Sequence, residues 1–346
     1  NSNATIKASP ASSYSSEGGN VFNGSATIQD STSSSYTMQL ATYYPDDFNG
    51  DVTFIQKGSA ILYPSCTKNS TVAGNLICNG VSAKLQVGGS GGKLILDGTS
   101  NQSIGRGSSS YAPEIKKMQV NKSSGSITLT TPLIIYDSLL LTKGVILSDT
   151  TNFIQLNHGG LLAGGSDSSF VDGPMKKNGN VAFTFPLGSS TLAHGYHPLS
   201  ITAPTSSSDG YKACYYPTSQ TTGTAIDSTI DNLNGCQYWT LNRTAGTSKV
   251  KVTLSWNHDS CETISPSKFR VTGWNGSIWK DLGKSVTSGD STKGMVQSVD
   301  SLNSISTLTL AFLKCSAFRK TISHSNVKCK GGSDGAIVVT ATGGTA

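Results

Sequence analysis

Charged residues are scarce in this sequence. Asp, Glu, Lys and Arg together make up 13% of the 346 residues, about half the share found in an ordinary soluble protein. Glutamate is the rarest of them, with Glu17, Glu114 and Glu262 as its only occurrences, so few candidates exist for the paired carboxylates of a glycosidase. Because 36% of the residues are hydrophobic, the low charge does not indicate disorder, and a buried core is expected.

Long apolar runs and basic stripes are missing as well. No stretch approaches the roughly 18 consecutive apolar residues of a membrane span, and the sequence does not open with the basic and apolar regions of a signal peptide. Lys and Arg number 26 against 20 Asp and Glu, which gives a net charge of +6, but the basic residues are scattered and not interleaved with aromatic residues. We therefore expect no membrane span and no nucleic-acid partner, and we interpret the chain as an excerpt of a longer exported protein.

The seven cysteines include no Cys-x-x-Cys pair, which disfavours a zinc site and a thioredoxin-type redox site. Their number instead favours export and disulfide formation. Closing loops of these sizes would stabilise the fold by about 3 kcal/mol each in the chain-entropy model. Cys329 would be left over, with a partner beyond residue 346. The predicted pairs are Cys66 with Cys78, Cys214 with Cys236, and Cys261 with Cys315.

Helical periodicity is also absent, since no window of a dozen residues keeps its apolar positions at helical spacing. Short apolar runs separated by Gly, Asn, Ser and Pro recur instead. Between residues 126 and 148 such runs begin six residues apart, which is too close for crossover helices and suits the coils of a solenoid. We therefore predict an all-β fold in which residues 1–178 form a right-handed parallel β-helix.

The pattern of the sequence changes near residue 179. Over residues 249–256 apolar residues alternate with polar ones, as in a half-buried antiparallel strand. Asn275-Gly276 lies between two further runs and predicts a hairpin with a type I′ turn. We predict an antiparallel, Ig-like β-sandwich over residues 179–316, followed by the truncated start of a further Ig-like repeat over residues 317–346.

The end of the chain resembles a known repeat. Residues 327–345 read Val-Lys-Cys-Lys-Gly-Gly-Ser-Asp-Gly, then an apolar strand, then Gly-Gly-Thr. This is similar to the opening of the SprB-type repeat, which occurs in tandem in large surface adhesins of Bacteroidetes, including gliding-motility adhesins. The second cysteine of that repeat is missing here, which would explain the unpaired Cys329. A more diffuse similarity to long exported proteins of the same phylum covers most of the chain, for example at residues 48–54 and 183–188.

The resemblance implies a location, an export route and a modification. Such proteins stand on the cell surface and typically leave the cell by type IX secretion. The implied partners are therefore the secretion machinery, surface polysaccharide and other cell-surface proteins. The O-glycosylation pattern of that phylum, Asp followed by Ser or Thr and then by an apolar residue or Thr, occurs six times. The implied glycosylation sites are Ser31, Ser138, Thr150, Ser228, Ser291 and Ser301.

Candidates for metal binding are few. Asp46, Asp47 and Asp51 place oxygen ligands on one turn, as Ca²⁺ prefers, but they lack the ligand order and the closing Glu of an EF-hand loop. A polar turn that leads into a strand is the favoured interpretation. His194 and His197 are three residues apart, which puts them on opposite faces of a strand. We expect no cofactor, with a structural Ca²⁺ at the three aspartates as the alternative.

Aromatic residues and catalytic motifs complete the search for function. Trp274 and Trp279 flank the predicted hairpin turn and are candidates for stacking on sugar rings, with core packing as the alternative for each. No nucleophile elbow or phosphate-binding loop occurs. The leading interpretation is a non-catalytic structural or adhesive segment of a large exported cell-surface protein. A polysaccharide-binding module is the first alternative, and a β-helix polysaccharide lyase or hydrolase is the second.

Overall fold

A computed structural model describes residues 3–33, 36–59, 61–80, 91–108, 110–260, 266–302, 306–314 and 319–342. In these ranges the regular structure consists of β-strands and one short 3₁₀ turn, Pro266–Lys268. The same ranges contain no helix with the length and apolar character that crossing a membrane requires. The all-β prediction is therefore confirmed.

The strands of the first half are short and closely spaced, apart from two long ones. They are β1 Ala4–Ala8, β2 Tyr14–Ser15, β3 Val21–Phe22, β4 Ala26–Asp30, β5 Thr37–Gln39, β6 Asp46–Phe48, β7 Val52–Gln56, β8 Ile61–Tyr63, β9 Ser70–Val72, β10 Leu76–Gly80, β11 Leu94–Leu96, β12 Gln102–Arg106, β13 Glu114–Leu129, β14 Leu133–Leu147, β15 Ile154–Leu156, β16 Leu161–Gly164, β17 Val171–Asp172 and β18 Met175–Asn178.

The second half contains the remaining strands, several of which are longer. They are β19 Phe183–Phe185, β20 Leu187–Gly188, β21 Leu199–Ile201, β22 Gly210–Tyr216, β23 Ile230–Leu233, β24 Tyr238–Ala245, β25 Val252–Trp256, β26 Phe269–Trp274, β27 Trp279–Asp281, β28 Val286–Gly289, β29 Gly294–Gln297, β30 Thr307–Leu313, β31 Arg319–Ser325 and β32 Ala336–Thr342.

The first half is a β-solenoid of about seven turns, built from parallel pairings between successive coils. One sheet joins β1, β4, β7, β10 and β12, and a second joins β3, β6, β9 and β11. A third begins with β2, β5 and β8. The first two sheets continue into β13, and β13 pairs with β14 in three segments, one for each face. The start of β14, which pairs with β15, belongs to the third face.

The long strand β14 passes through all three faces within one coil. Its start pairs with β15, its middle with β16 and its end with β17. The six-residue spacing of the apolar runs therefore reflects three successive faces of a single coil, joined by bends and not by turns. The predicted solenoid is confirmed, although the runs are not separate strands.

The solenoid interior is filled by columns of apolar side chains, one from each coil. On the second face, Phe48, Val72, Leu96 and Val120 follow one another in register, and all four are fully buried. Neighbouring members of this column are 24 residues apart, as are the hydrogen-bonded pair Asp47 and Thr71 on the outer side. Because side chains alternate between the two faces of a strand, this even spacing keeps apolar side chains inside on these four coils.

Buried polar groups stabilise the corners of the solenoid. The ammonium group of Lys122 donates hydrogen bonds to the carbonyl oxygens of Gly98 (2.7 Å) and Ser100 (2.9 Å) and to Oε1 of Gln102 (2.6 Å). A buried carbonyl group without a hydrogen-bond donor costs free energy. Lys122 supplies donors to corner carbonyl groups that the hydrogen bonds between strands do not reach. Lys177, further along the solenoid, does the same for the carbonyl groups of Asn157 and Gly160.

The solenoid passes directly into the second half through two strand pairs. Parallel pairing persists as far as β20, which pairs with β17. On the third face, however, β18 pairs with β22 in the antiparallel direction. From β22 the hydrogen bonds continue through β24, β30, β26 and β27. The sheet of the solenoid is therefore continuous with an antiparallel sheet.

A second antiparallel sheet contains β19, β21, β25, β29 and β28 in that order. It packs on the first through aromatic side chains such as Trp256 and Phe269, whose ring centroids are 5.0 Å apart. The predicted hairpin of β26 and β27 is present, but its turn is not the two-residue turn expected. Trp274 pairs with Trp279, so four residues, 275–278, form the connection. Further along the chain, β31 and β32 form a separate antiparallel hairpin.

The predicted disulfide between Cys66 and Cys78 is wrong, because both thiols are free. Cys78 points into the solenoid interior, in register with the buried Phe54 of the preceding coil. Cys66 lies outside the strands, in the corner that follows β8. The two side chains therefore belong to different parts of the coil, although they are close in sequence.

The predicted disulfide between Cys214 and Cys236 is also wrong, because Cys214 is free. Cys214 faces Thr240 across the β22–β24 ladder, whereas Cys236 lies in the bend that precedes β24. Cys236 is disulfide-bonded, whereas Cys261 and Cys315 lie outside the described residues.

Thiol labelling tests these assignments. Burial raises the pKa of the Cys78 thiol to about 12 and that of Cys214 to about 11, so the reactive thiolate is scarce at both sites. Without reductant, iodoacetamide should label the exposed Cys329 in native protein, and Cys78 and Cys214 only in denaturant. Peptide mass spectrometry measures the labelling. A Cys66–Cys78 or Cys214–Cys236 crosslinked peptide would contradict the structure.

Core substitutions test the inward direction of the columns. Phe54 is fully buried, and its ring packs edge-on against Phe48 with centroids 5.8 Å apart. Phe54→Ala should lower the free energy of unfolding by about 3–5 kcal/mol, measured by urea denaturation. The control is Thr53→Ala on the outer side of the same strand, which should change it by about 0.5 kcal/mol or less. Equal losses in the two variants would show that the inward register is incorrect.

Candidate functional site

The junction between the solenoid and the second half gathers groups that are far apart in sequence. The segment 189–198 links β20 to β21 and lies between two carboxylates. Asp167, from the loop between β16 and β17, accepts a hydrogen bond from the backbone N–H of Tyr196 (3.0 Å). Asp259, which follows β25, accepts one from the backbone N–H of His194 (2.6 Å). Asn257 donates from its side chain to the carbonyl oxygen of His194 (2.6 Å).

Two exposed imidazoles lie beside these carboxylates. The ring centroids of His194 and His258 are 5.1 Å apart, and Nδ1 of His194 is 3.9 Å from Oδ2 of Asp167. Within the described ranges, no group of three His, Cys, Asp or Glu side chains is arranged to hold a metal ion. The arrangement supports an ion pair between His194 and Asp167 when the imidazole is protonated.

His197 lies apart from these groups in the interior. Its ring is fully buried and stacks on Tyr215, with centroids 4.4 Å apart and planes within 4°. Its carbonyl oxygen accepts a hydrogen bond from Nε1 of Trp239 (3.0 Å), while neither ring nitrogen makes a hydrogen bond of normal geometry. Burial lowers the pKa of His197 to about 4, against the opposing charges of Asp259 and Asp167.

A cleft of about 390 Å³ opens beside this junction. Its apolar surface comes from Tyr196, Trp256 and Met295, and its polar surface includes Asp167 and Lys293. The volume lies at the small end of the range for ligand pockets. Glycoside hydrolysis of the usual type needs two carboxylates, whereas the described lining of this cleft supplies one, Asp167. The geometry suits binding of a small polar group.

The three aspartates suggested for Ca²⁺ have other partners. The side chain of Asp46 is buried and accepts hydrogen bonds from the backbone and side chain of Asn20 (2.9 and 2.8 Å). Asp47 points outward and accepts from the hydroxyl of Thr71 on the next coil (2.6 Å). Asp51 accepts from the backbone N–H of Asn75 (2.8 Å). The three carboxylates therefore link coils to one another and do not converge on one point.

The two tryptophans suggested for sugar stacking differ in their surroundings. Trp279 is fully buried, and its indole N–H donates to the carbonyl oxygen of Gly223 (3.0 Å). A sugar cannot reach that ring, so Trp279 belongs to the core, the alternative given for it. Trp274 is partly exposed, although Gly223 also lies against its ring. The segment 217–229 covers this hairpin, which the alternation of residues along the strands could not predict.

The six serine and threonine sites implied by the resemblance lie mainly in turns. In four of them the preceding aspartate accepts a hydrogen bond from the backbone N–H two residues later. These aspartates are Asp30, Asp149, Asp227 and Asp290. The side chains of Thr150, Ser228, Ser291 and Ser301 are exposed, whereas Ser31 and Ser138 are partly buried. Modification of these residues stays a prediction.

Sequence reasoning identified His194 and His197 but missed the groups that surround them. Asp167, His258 and Asp259 come from loops that lie 27 or more residues away along the chain. Asn257-x-Asp259 forms a local turn, in which the backbone N–H of Asp259 donates to the side chain of Asn257 (2.9 Å). No short motif marks the meeting of these loops. The chain matches no protein-family model, no curated protein and no solved structure.

The burial of His197 makes stability depend on pH. Because the fold favours the neutral imidazole, the unfolded chain binds more protons between about pH 4 and 6.5. The contribution of His197 is therefore complete above pH 6.5 and is lost as the pH falls towards 4. We expect the wild-type protein to lose about 2 kcal/mol of unfolding free energy between pH 7 and pH 5 through this group.

Substitution isolates this contribution. His197→Phe keeps a ring on Tyr215 and removes the titrating group, so the loss between pH 7 and pH 5 should shrink by most of that amount. His324→Phe is the control, because His324 is exposed on β31. Urea denaturation at both pH values gives the measurement. An unchanged pH dependence in His197→Phe would refute the assignment.

Proposed function

We propose that this chain is a non-catalytic structural and adhesive segment of a large cell-surface protein. The supporting observation is the hydrogen-bonded continuity from β15 through β18, β22 and β24. A solenoid and a neighbouring sheet unit that share one sheet transmit tension through backbone hydrogen bonds. Two units joined by a flexible linker would not do so. A stalk that holds an adhesive surface away from a cell requires this kind of stiffness.

The sequence supports the same proposal independently. The tail that resembles an SprB-type repeat implies an extracellular position on a surface adhesin and export by type IX secretion. The low content of charged residues and the many hydroxyl and amide side chains give a surface that stays hydrated with few charges to attract unrelated macromolecules. In this proposal the partners are surface polysaccharide or other cell-surface proteins.

A polysaccharide-binding module is the second candidate, and the junction cleft favours it. The cleft combines the partly exposed Tyr196 and Met295 with polar groups from Asp167 and Lys293. Carbohydrate sites need such a mixture of apolar and hydrogen-bonding groups. The two candidates are compatible, because a stiff stalk can carry a binding site on its side.

Single-molecule pulling tests the stalk. The full chain is held at its two ends, and the force at which the solenoid separates from the second half is recorded. Ala213→Pro lies in the middle of β22, between Met175 of β18 and Leu241 of β24. Proline removes a backbone donor from a central strand, so this variant should separate at a clearly lower force than the wild-type chain.

The control places proline in the terminal hairpin. Ser323→Pro lies in the middle of β31 and pairs only with β32, so it should leave the separation force unchanged. If Ala213→Pro and the wild-type chain separate at the same force, the shared sheet does not carry the load and the proposal fails.

A further inference from the structure

The outer surface of the third face carries a row of side chains that crosses from the solenoid into the second half. In register across four strands, Gln155 of β15 faces Lys176 of β18, Lys176 faces Lys212 of β22, and Lys212 faces Asn242 of β24. We call these four residues the lysine row. Spanning three strand intervals of about 4.8 Å, the row is about 14 Å long.

Both lysines point outward from the sheet. Lys177, the neighbour of Lys176, points inward and is buried, so alternation along β18 directs Lys176 to the outer side. The ammonium group of Lys212 lies 4.8 Å from the centroid of the Phe153 ring. Phe153 is partly exposed and immediately precedes β15. An aromatic ring therefore borders the row.

The positive charges of Lys176 and Lys212 repel each other. Like charges directly opposite each other on neighbouring strands are destabilising. Burial lowers the pKa of Lys176, and the charge of Lys212 lowers it further. Neither lysine forms an ion pair with a described carboxylate, since the ion pairs of the described chain involve Lys117, His194 and Arg270. The pair therefore lacks the anion that would offset its repulsion.

Other desolvated lysines of the chain have acceptors. Lys122 and Lys177 each donate to main-chain carbonyl groups in the solenoid corners. Lys176 and Lys212 differ from these lysines, because their side chains lie next to each other on an accessible face. An aromatic ring and two amide side chains lie nearby.

We propose that the lysine row binds an anionic polysaccharide, with a carboxylate or sulfate substituent placed between the ammonium groups of Lys176 and Lys212. The amide groups of Gln155 and Asn242 lie on either side of the pair and can contact sugar hydroxyl groups. Phe153 offers an apolar surface to a sugar ring. The inference rests on the proposed adhesive role for its biological setting, but the site is independent of the mechanical continuity.

Binding measurements with defined polymers test the site. Isothermal titration uses polygalacturonate, dextran sulfate and neutral dextran, with monomeric galacturonate and inorganic sulfate as small anions. The wild-type chain should bind at least one charged polymer and should not bind neutral dextran. Lys176→Ala/Lys212→Ala should weaken that binding by about tenfold or more, as expected for the loss of charge-assisted hydrogen bonds.

A matched double variant separates a site from general charge attraction. Lys7→Ala/Lys57→Ala removes the same charge from exposed positions on another face of the solenoid and should change the affinity by less than about twofold. Equal losses in the two double variants would overturn the proposal, as would the absence of binding to both charged polymers. Inorganic sulfate that binds as tightly as the polymers would also overturn it, because the site would then recognise a free anion.

A charge reversal provides a second, independent measurement. Lys212→Glu places a carboxylate opposite Lys176, so it should remove polymer binding while leaving the melting temperature equal to that of the wild-type chain or higher. A lower melting temperature together with unchanged polymer binding would refute the arrangement. Failure of the pulling experiment would leave these binding results unaffected, so the two proposals can be distinguished.

Discussion

The fold depends on the stacking of like side chains at equal positions on successive coils. A parallel strand can add to the one before it only if its inward apolar residues meet the inward apolar residues of that strand. Phe48, Val72, Leu96 and Val120 meet this condition on one face, and Ile28 and Phe54 meet it on another. The burial of these columns drives the assembly of the coils, and the hydrogen bonds between coils fix their register. Stacked coils bury carbonyl groups at their corners. Lys122 is buried at one corner because it donates hydrogen bonds to such groups.

The reversal from parallel to antiparallel pairing at β18 and β22 determines where chemistry can occur. A solenoid that simply continued would cover its last coil with another of the same shape. Here the chain turns back, and the segment 189–198 has to pass between the last coil and the second half. This passage brings Asp167 and Asp259 to the same segment and leaves a cleft beside it. The same reversal extends the outer face across the boundary, so that Lys176 and Lys212 become neighbours.

The sequence was a good guide to the class of fold and a poor guide to contacts between distant loops. Apolar runs at close spacing predicted the solenoid, because alternation within a strand is visible locally. The same patterns could not predict that β14 bends through three faces, since a bend leaves no break in an apolar run. The cysteine pairs were inferred from nearness in sequence, whereas Cys78 is directed into the core by its strand. Likewise Trp279 is covered by the segment 217–229, about fifty residues earlier.

The coil-to-coil repeat, which is 24 residues along the column of Phe48, Val72, Leu96 and Val120, has a consequence for the growth of such molecules. In the described part of the solenoid each coil pairs with the coil before it and the coil after it, so a whole coil is an exchangeable part. Duplicating or deleting one such stretch preserves the inward columns on both sides of the change. The length of the rod would then alter in steps of about 4.8 Å while its cross-section stays constant. During evolution, a stalk of this design can therefore change its length one coil at a time while its core stays the same.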